Sequence, residues 1–462
     1  STIVNVALPS IQHDLHFTQA ELTWVVNGYL IAYGSFLLVA GRVGDLIGRR
    51  KVFLSGVLLF TLASLASGLS QGGAELIAAR FAQGLGGSLS AGVIIAMIVT
   101  EFEKPAERAQ AMSVFTFVIA GGGTIGLLLG GAFTQWLNWH WIFFINVPIG
   151  LVTFLFGQWL IRENPGLGVG QGVDLAGAAL ITAALMVGVY AIVTAADSGW
   201  TSVHTLGFGT ASLAMVAGFI LLESRLSNPI LPLRILRLRS LTGASLTRTL
   251  LFVGMFANFF MGTLYLQQVR GFSAFGAGVA FLPFSILLAT FSAGITARLM
   301  ARFGPRTLAI AGLIAIFSAL LLLTGADPQS AYFPRIFVAF VLFGLGGGLA
   351  FMPLLNISMS EVPSADAGVA SGFGNVTMQV GAAIGLAVLG TVASSRTNVL
   401  LGQGQSLADA LTGGYHVAFE IAACSVMASL AVLLLVLRPS GRVGRVREVA
   451  RFEREETVVE AA

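Results

Sequence analysis

Arg80 lies inside a long apolar stretch of this chain, five residues after Glu75. A guanidinium in hydrocarbon costs about 2.5 kcal/mol or more unless it reaches water or a partner. Such a charge marks an ion or proton pathway, or else a side chain that snorkels to the membrane surface along its apolar stem. Gln83, Gly84, Gly87 and Ala91 follow at helical spacing and share its face, which is small and polar enough for a cavity or a close helix. Glu420, four residues after His416, is the second candidate for proton chemistry; its plainer reading is a carboxylate at the wet end of a helix. Trp24, Asn27, Asn258, Asn356, Asn375 and Gln379 are further groups within apolar stretches that could meet a ligand. Asn375 and Gln379 are one turn apart, and hydrogen bonding between helices would use them equally well.

Other chemistries are poorly provided for. The single cysteine, Cys424, allows neither an intrachain disulfide nor a thiolate cluster, and the five scattered histidines form no HxxxH pair, so no metal site is expected. The glycines of residues 121–131 (GGGTIGLLLGG) follow no strand and precede no lysine, which excludes a phosphate loop. Gly122, Gly126 and Gly130 recur at every fourth position, with Gly131 beside them, and mark a face for close helix packing. With no nucleotide-binding loop, ATP is not the expected energy source and no cofactor is expected. The basic segment 41–51 (GRVGDLIGRRK) reads as a tight turn between helices. Gly41, Gly44 and Gly48 permit the turn and close approach, and Asp45 is the lone acid among Arg42, Arg49, Arg50 and Lys51. The segment is either a gate or a solvated anchoring loop.

The elements that hold these residues must be membrane helices. Hydrophobic residues make up 56% of the 462 positions and charged residues 10%, far too apolar a balance for a soluble chain. The mean hydropathy is +0.88. The net charge of +4 resides in short segments between apolar runs, with no basic stripe, so it points to a membrane face and not to nucleic acid. Apolar stretches able to cross as helices are expected at 22–40, 52–73, 75–100, 109–137, 139–161, 175–196 and 204–222. More follow at 242–269, 275–297, 307–326, 332–360, 368–395 and 416–437. Residues 1–11 read as the end of one further span, for fourteen in all. Lys51, Arg237 and Arg302 then share one face of the membrane, and His204 and Asp327 the other. The positive-inside rule makes the basic face cytoplasmic, with both termini inside in the complete protein.

An internal repeat supports this reading. The pattern Arg42, Gly48, Arg50 recurs as Arg298, Gly304, Arg306 after a later span. Repeated halves are how many secondary transporters build a central site that opens to each side in turn. The expected divisions are an N-terminal bundle at 1–161, two peripheral linker helices at 162–235, a C-terminal bundle at 236–437 and a solvated tail at 438–462.

Several segments resemble one family. Residues 41–51 resemble the signature between the second and third helices of the major facilitator superfamily. Residues 2–9 (TIVNVALP), 24–29 (WVVNGY) and 139–150 (WHWIFFINVPIG) resemble its fourteen-span drug:proton antiporter branch, and 80–87 (RFAQGLGG) its helix-four motif. Residues 121–131 resemble the helix-five motif of antiporters, except that Leu127 stands where a proline is common; His140 likewise stands where that branch commonly has arginine. The resemblance implies an all-α polytopic fold of two six-helix bundles plus two additional helices. It also implies proton-coupled export of small amphipathic compounds, a role for Arg80 in proton coupling, and gating by the basic segments. In the family an aspartate commonly precedes the position of Ser1, so the coupling carboxylate is expected upstream, with helix one incomplete here. The protein is expected in the plasma membrane of a bacterium, as a monomer. A facilitator for an osmolyte, sugar or metabolite is the alternative within the same fold. A membrane enzyme would need converging His, Asp or Cys residues, and none are apparent.

Overall fold

The computed structural model describes residues 2–102, 105–163, 166, 174–226, 234–362 and 367–436. The tail expected at 438–462 lies outside the described residues, as do the side chains of Arg42 and Asp45. Among the described residues every regular element is helical. The first group is α1 (Thr2–Leu15), α2 (Gln19–Ile47), α3 (Arg49–Leu69), α4 (Gly73–Glu101), α5 (Pro105–Trp136), α6 (Trp141–Phe144) and α7 (Asn146–Leu160). Then come α8 (Leu175–Ser198) and α9 (Val203–Arg225). The last group is α10 (Arg239–Leu264), α11 (Ala274–Ala280), α12 (Leu282–Thr290), α13 (Thr296–Phe303), α14 (Pro305–Thr324), α15 (Phe337–Met359), α16 (Ala367–Gly402) and α17 (Leu407–Leu435). Among the described residues nine helices are long and apolar enough to cross a membrane, and Ala176–Ile192 and Ala274–Thr290 are shorter apolar ones.

Helix starts follow local chemistry. Thr18 and Glu21 form a reciprocal cap on α2: the Glu21 amide donates to Thr18 Oγ1 at 3.2 Å, and the Thr18 amide to Glu21 Oε2 at 3.0 Å. Asp174, Ser202, Ser273 and Ser406 cap α8, α9, α11 and α17 through their side chains.

Several expected boundaries are corrected. The basic segment is not a loop: α2 continues through Gly41, Arg42, Gly44 and Asp45 to Ile47, and α3 begins at Arg49. The whole reversal falls on Gly48 at φ 106°, as its counterpart falls on Gly304 at φ 79° between α13 and α14. Only glycine adopts such backbone readily, which is why one residue suffices. The expected span at 139–161 holds as Trp141–Leu160, with a single gap in its backbone bonding at Phe144, to which Pro148 has no amide to donate. That at 275–297 is interrupted before Pro283 and again at Gly294, whose φ is 143°. The last helix begins at Leu407, well before His416, so Glu420 stands in mid-helix and not at a helix entrance.

The two groups pack by one scheme. α3 packs on α4 as α14 does on α15, α2 on α4 as α12 on α15, α3 on α7 as α14 on α17, and α1 on α5 as α10 on α16. Matched glycines make the closest of these approaches. A Cβ on Gly56 would stand 2.8 Å from the Gly86 carbonyl, and one on Gly312 2.6 Å from that of Gly346. Small residues let backbones approach this closely, and in lipid such packing drives helix association. α8 packs against both α2 and α16, while α9 packs on α8 and leaves Val203, Leu213 and Leu221 exposed.

Successive passes alternate in direction, so Lys51, Arg237 and Arg302 share one end of the bundle, the basic end, and His204 and Asp327 the other. The two groups are joined toward the non-basic end. There Gln267 Nε2 donates to the Val6 carbonyl at 2.8 Å, Gln268 Nε2 to Gln12 Oε1 at 2.7 Å, and Trp136 stacks on Phe275 at 5.1 Å.

Candidate functional site

Arg80 is 2% exposed, on α4, and held among α2, α3 and α6. Its Nε donates to the Val25 carbonyl of α2 at 2.8 Å, and its Nη1 donates to Gln83 Oε1 one turn further along α4. Gln83 Nε2 in turn donates to Ser64 Oγ of α3 at 2.7 Å. The guanidinium lies over the Tyr29 ring at 4.5 Å and near Phe143 at 5.8 Å. Nη2 is buried with no hydrogen-bond partner. The arginine does not snorkel; a dry, neutral shell solvates it. A desolvated cation over an aromatic face gains about 2 kcal/mol or more, which offsets much of the burial cost. Gly28 and Gly84 let α2 and α4 close around this shell: a Cβ on Gly84 would stand 2.9 Å from that of Ala32.

The remaining candidates are dispersed. Asn27 on α2 and Asn258 on α10 are fully buried, and neither polar atom of either side chain has a hydrogen-bond partner. Trp24 is half-buried, 6.4 Å from Tyr190 of α8. Asn375 and Gln379 on α16 are half-buried, and the Gln379 Cβ lies 3.0 Å from where a Cβ on Gly34 of α2 would stand. Gln379 thus marks the seam between the two groups. Asn356 and Glu420 are exposed, and Glu420 shares its helix face with exposed Cys424 and Met427, away from the Arg80 network.

The arginines of the basic turns do local work that spacing did not disclose. Arg50 donates to the Gln158 carbonyl at the end of α7, and Arg306 to the Leu434 carbonyl at the end of α17 at 2.9 Å. Both close the C-terminus of a neighbouring helix, where carbonyls lack partners and the dipole is negative. Arg50 also pairs with Glu163 at 3.2 Å, and Arg49 donates to the Ala96 carbonyl of α4 at 3.2 Å. Arg298 is exposed. On α5 the close approach is confined to one end. A Cβ on Gly130 would stand 2.5 Å from the Ile3 carbonyl and one on Gly131 2.6 Å from that of Ala274, while Gly126 is half-buried and Gly122 is exposed with nothing within 4 Å. The glycine stripe expected from spacing is therefore not a packing face at Gly122.

Two residues escaped the sequence reading. Tyr29, the ring beneath Arg80, ends the 24–29 motif, but nothing in that motif points to its contact with Arg80. Arg248 on α10, 5% exposed, was legible as a charge within the span at 242–269. Among the described residues no group of three or more His, Cys, Asp or Glu side chains could hold a metal.

The Major Facilitator Superfamily model matches residues 1–386. The puromycin resistance protein of Streptomyces alboniger is 37% identical over 94% of this chain and 87% of its own length. The cephamycin export protein of Amycolatopsis lactamdurans is 38% identical over 86% of this chain and 82% of its own. An auto-inhibited peptide transporter of the POT family, in its crystal structure, superposes with a TM-score of 0.69 over 95% of both chains at 16% identity, a likeness of fold.

Proposed function

The chain belongs to the major facilitator superfamily, and from that premise we propose that it exports small amphipathic compounds, antibiotics among them, in exchange for protons. It is a multi-pass membrane protein, and its relatives include bacterial proteins described as conferring resistance to puromycin and exporting cephamycin. The observation that carries the reading is the Arg80 site: a charge buried in a neutral shell, with Nη2 still unpartnered. Such a charge is retained at a cost, and an intramembrane charge of this kind marks an ion or proton pathway.

The basic end faces the cytoplasm, as the bias of Lys and Arg requires. The groups are joined toward the opposite end by Gln267, Gln268 and Phe275, contacts that must part for cargo to leave on that side. Export follows when proton entry and cargo release favour different members of the pair of states; a ligand binding both states equally drives nothing. Gly48 and Gly304 are the points where the basic-end helices reverse, and Asp45 lies one turn before the first of them. These segments govern passage between states. The protein works as a monomer, with the proton gradient as its energy source and no cofactor. Acid-inside vesicles carrying the full chain test this: an amphipathic dye should accumulate in them only while the gradient lasts, and Arg80→Ala should stop it.

A further inference from the structure

Arg80 and Arg248 are both arginines buried in helices, yet their surroundings differ. Arg80 is held by a carbonyl, an amide oxygen and an aromatic face. The hydrogen bond described for Arg248 goes to Met378 Sδ at 3.4 Å, a thioether and a weak acceptor, and its buried Nε has no partner. Among the described residues no carboxylate is paired with Arg248.

α16 comes close to Arg248 at Gly374. A Cβ on Gly374 of α16 would stand 3.0 Å from Arg248 Nη1 and 4.0 Å from Ser245 Oγ. Ser245 precedes Arg248 by one turn on α10, is 2% exposed, and its hydroxyl has no partner. A guanidinium and a hydroxyl therefore face the backbone of Gly374, and neither has an oxygen acceptor. Arg248 lies nine residues into α10, about 14 Å along a span that runs from Arg239 to Val269. Gln379, at the seam with α2, is five residues further along α16 than Gly374, toward the joined end. Secondary transporters place their cargo within the membrane, at the interface of their repeats.

We propose that Arg248, Ser245 and the face of Gly374 receive the carboxylate of an amphipathic anionic cargo, an inference that rests on the exporter function above. The planar guanidinium fork matches a carboxylate in geometry and charge, and the serine hydroxyl supplies one more donor. The rest of the cargo meets the apolar side chains of α10 and α16. Neutral and cationic analogues gain nothing from this corner, so the site sorts amphipathic compounds by charge.

The test is binding to the full chain in nanodiscs of zwitterionic phosphatidylcholine, which offers no anionic headgroup as a competitor. The probes are 1-pyrenebutyrate, its methyl ester and the corresponding pyrenyl trimethylammonium. The wild-type chain should bind the acid at least tenfold more tightly than the ester. Arg248→Met should weaken acid binding tenfold or more and leave the ester and the cation within twofold, which also shows the variant is folded. Arg248→Lys should fall between, and Gly374→Ala, whose methyl would stand 3.0 Å from Arg248 Nη1, should weaken the acid alone. An acid bound no better than its ester overturns the proposal. So does an equal loss of all three probes in both Arg248→Lys and Gly374→Ala, which would make the arginine a packing element. Binding needs no gradient, so a chain that selects the acid yet fails to move dye against protons would refute the exporter reading and leave this site standing.

Discussion

The guanidinium of Arg80 lies face-on to the ring of Tyr29, 4.5 Å from its centre, joining α4 to α2 through a charge and an aromatic quadrupole. Two further bonds, to the Val25 carbonyl and to Gln83, fix the plane of the fork. Position and shape both matter in such a contact, since a lysine offers a point charge without the fork. Arg80→Ala should cut proton-driven efflux at least tenfold, and Arg80→Lys should recover little of it. Tyr29→Phe keeps the ring and should stay within about twofold of wild type, while Tyr29→Ala should lose several-fold. Initial dye-efflux rates at matched expression decide this; native rates in Arg80→Ala would reduce the arginine to a structural group.

Matched glycines predict a matched pair of stability losses. A methyl at Gly56 would stand 2.5 Å from the Ser90 amide, and one at Gly312 2.6 Å from the Gly346 carbonyl. Gly56→Ala and Gly312→Ala should each cost about 1–3 kcal/mol through forced helix separation. Gly122→Ala meets nothing within 4 Å and should be neutral or stabilising, since alanine favours helix over glycine by about 1 kcal/mol. Thermal unfolding in detergent reads all of these. Equal loss at Gly122 would contradict the open face seen there.

The fold was legible in the sequence to the level of its spans, because a chain in hydrocarbon must form long apolar helices and because basic residues crowd one face. The paired turns at Gly48 and Gly304 were legible too, as a repeated glycine between arginines. What was hidden follows from physics that spacing does not carry. Polarity and glycines suggest a loop over 41–47, but α2 runs through it to Ile47. The partners of Arg50 and Arg306 are backbone carbonyls of other helices, which leave no mark in the sequence. Glu420 was read as a helix entrance because the polar start of α17 masks nine helical residues before His416. Arg248 is a charge within an apolar span, but its closeness to the basic run that ends at Arg239 makes it look like part of the membrane face.

Orientation predicts an accessibility pattern. In a Cys424→Ser background, His204→Cys and Asp327→Cys should react with an impermeant thiol reagent added to intact cells. Lys51→Cys, Arg237→Cys and Arg302→Cys should react only after permeabilisation. Labelling of Arg237→Cys in intact cells would break the alternation of passes that places it at the basic end.

Asp45 stands one turn before the reversal at Gly48, among Arg42, Arg49 and Arg50. If its charge helps latch the basic ends of the two groups, Asp45→Asn should slow transport several-fold while expression and substrate binding persist. Transport at the native rate in Asp45→Asn would leave these residues only an anchoring role.

The central claim is exchange of protons for amphipathic cargo. Its most direct test is dye uptake by acid-inside vesicles bearing the full chain, measured before and after an ionophore collapses the pH gradient. The account predicts concentrative uptake that stops on collapse and is absent with Arg80→Ala. Uptake that only equilibrates the dye, at the same rate with and without the gradient, would contradict it and make the protein a facilitator.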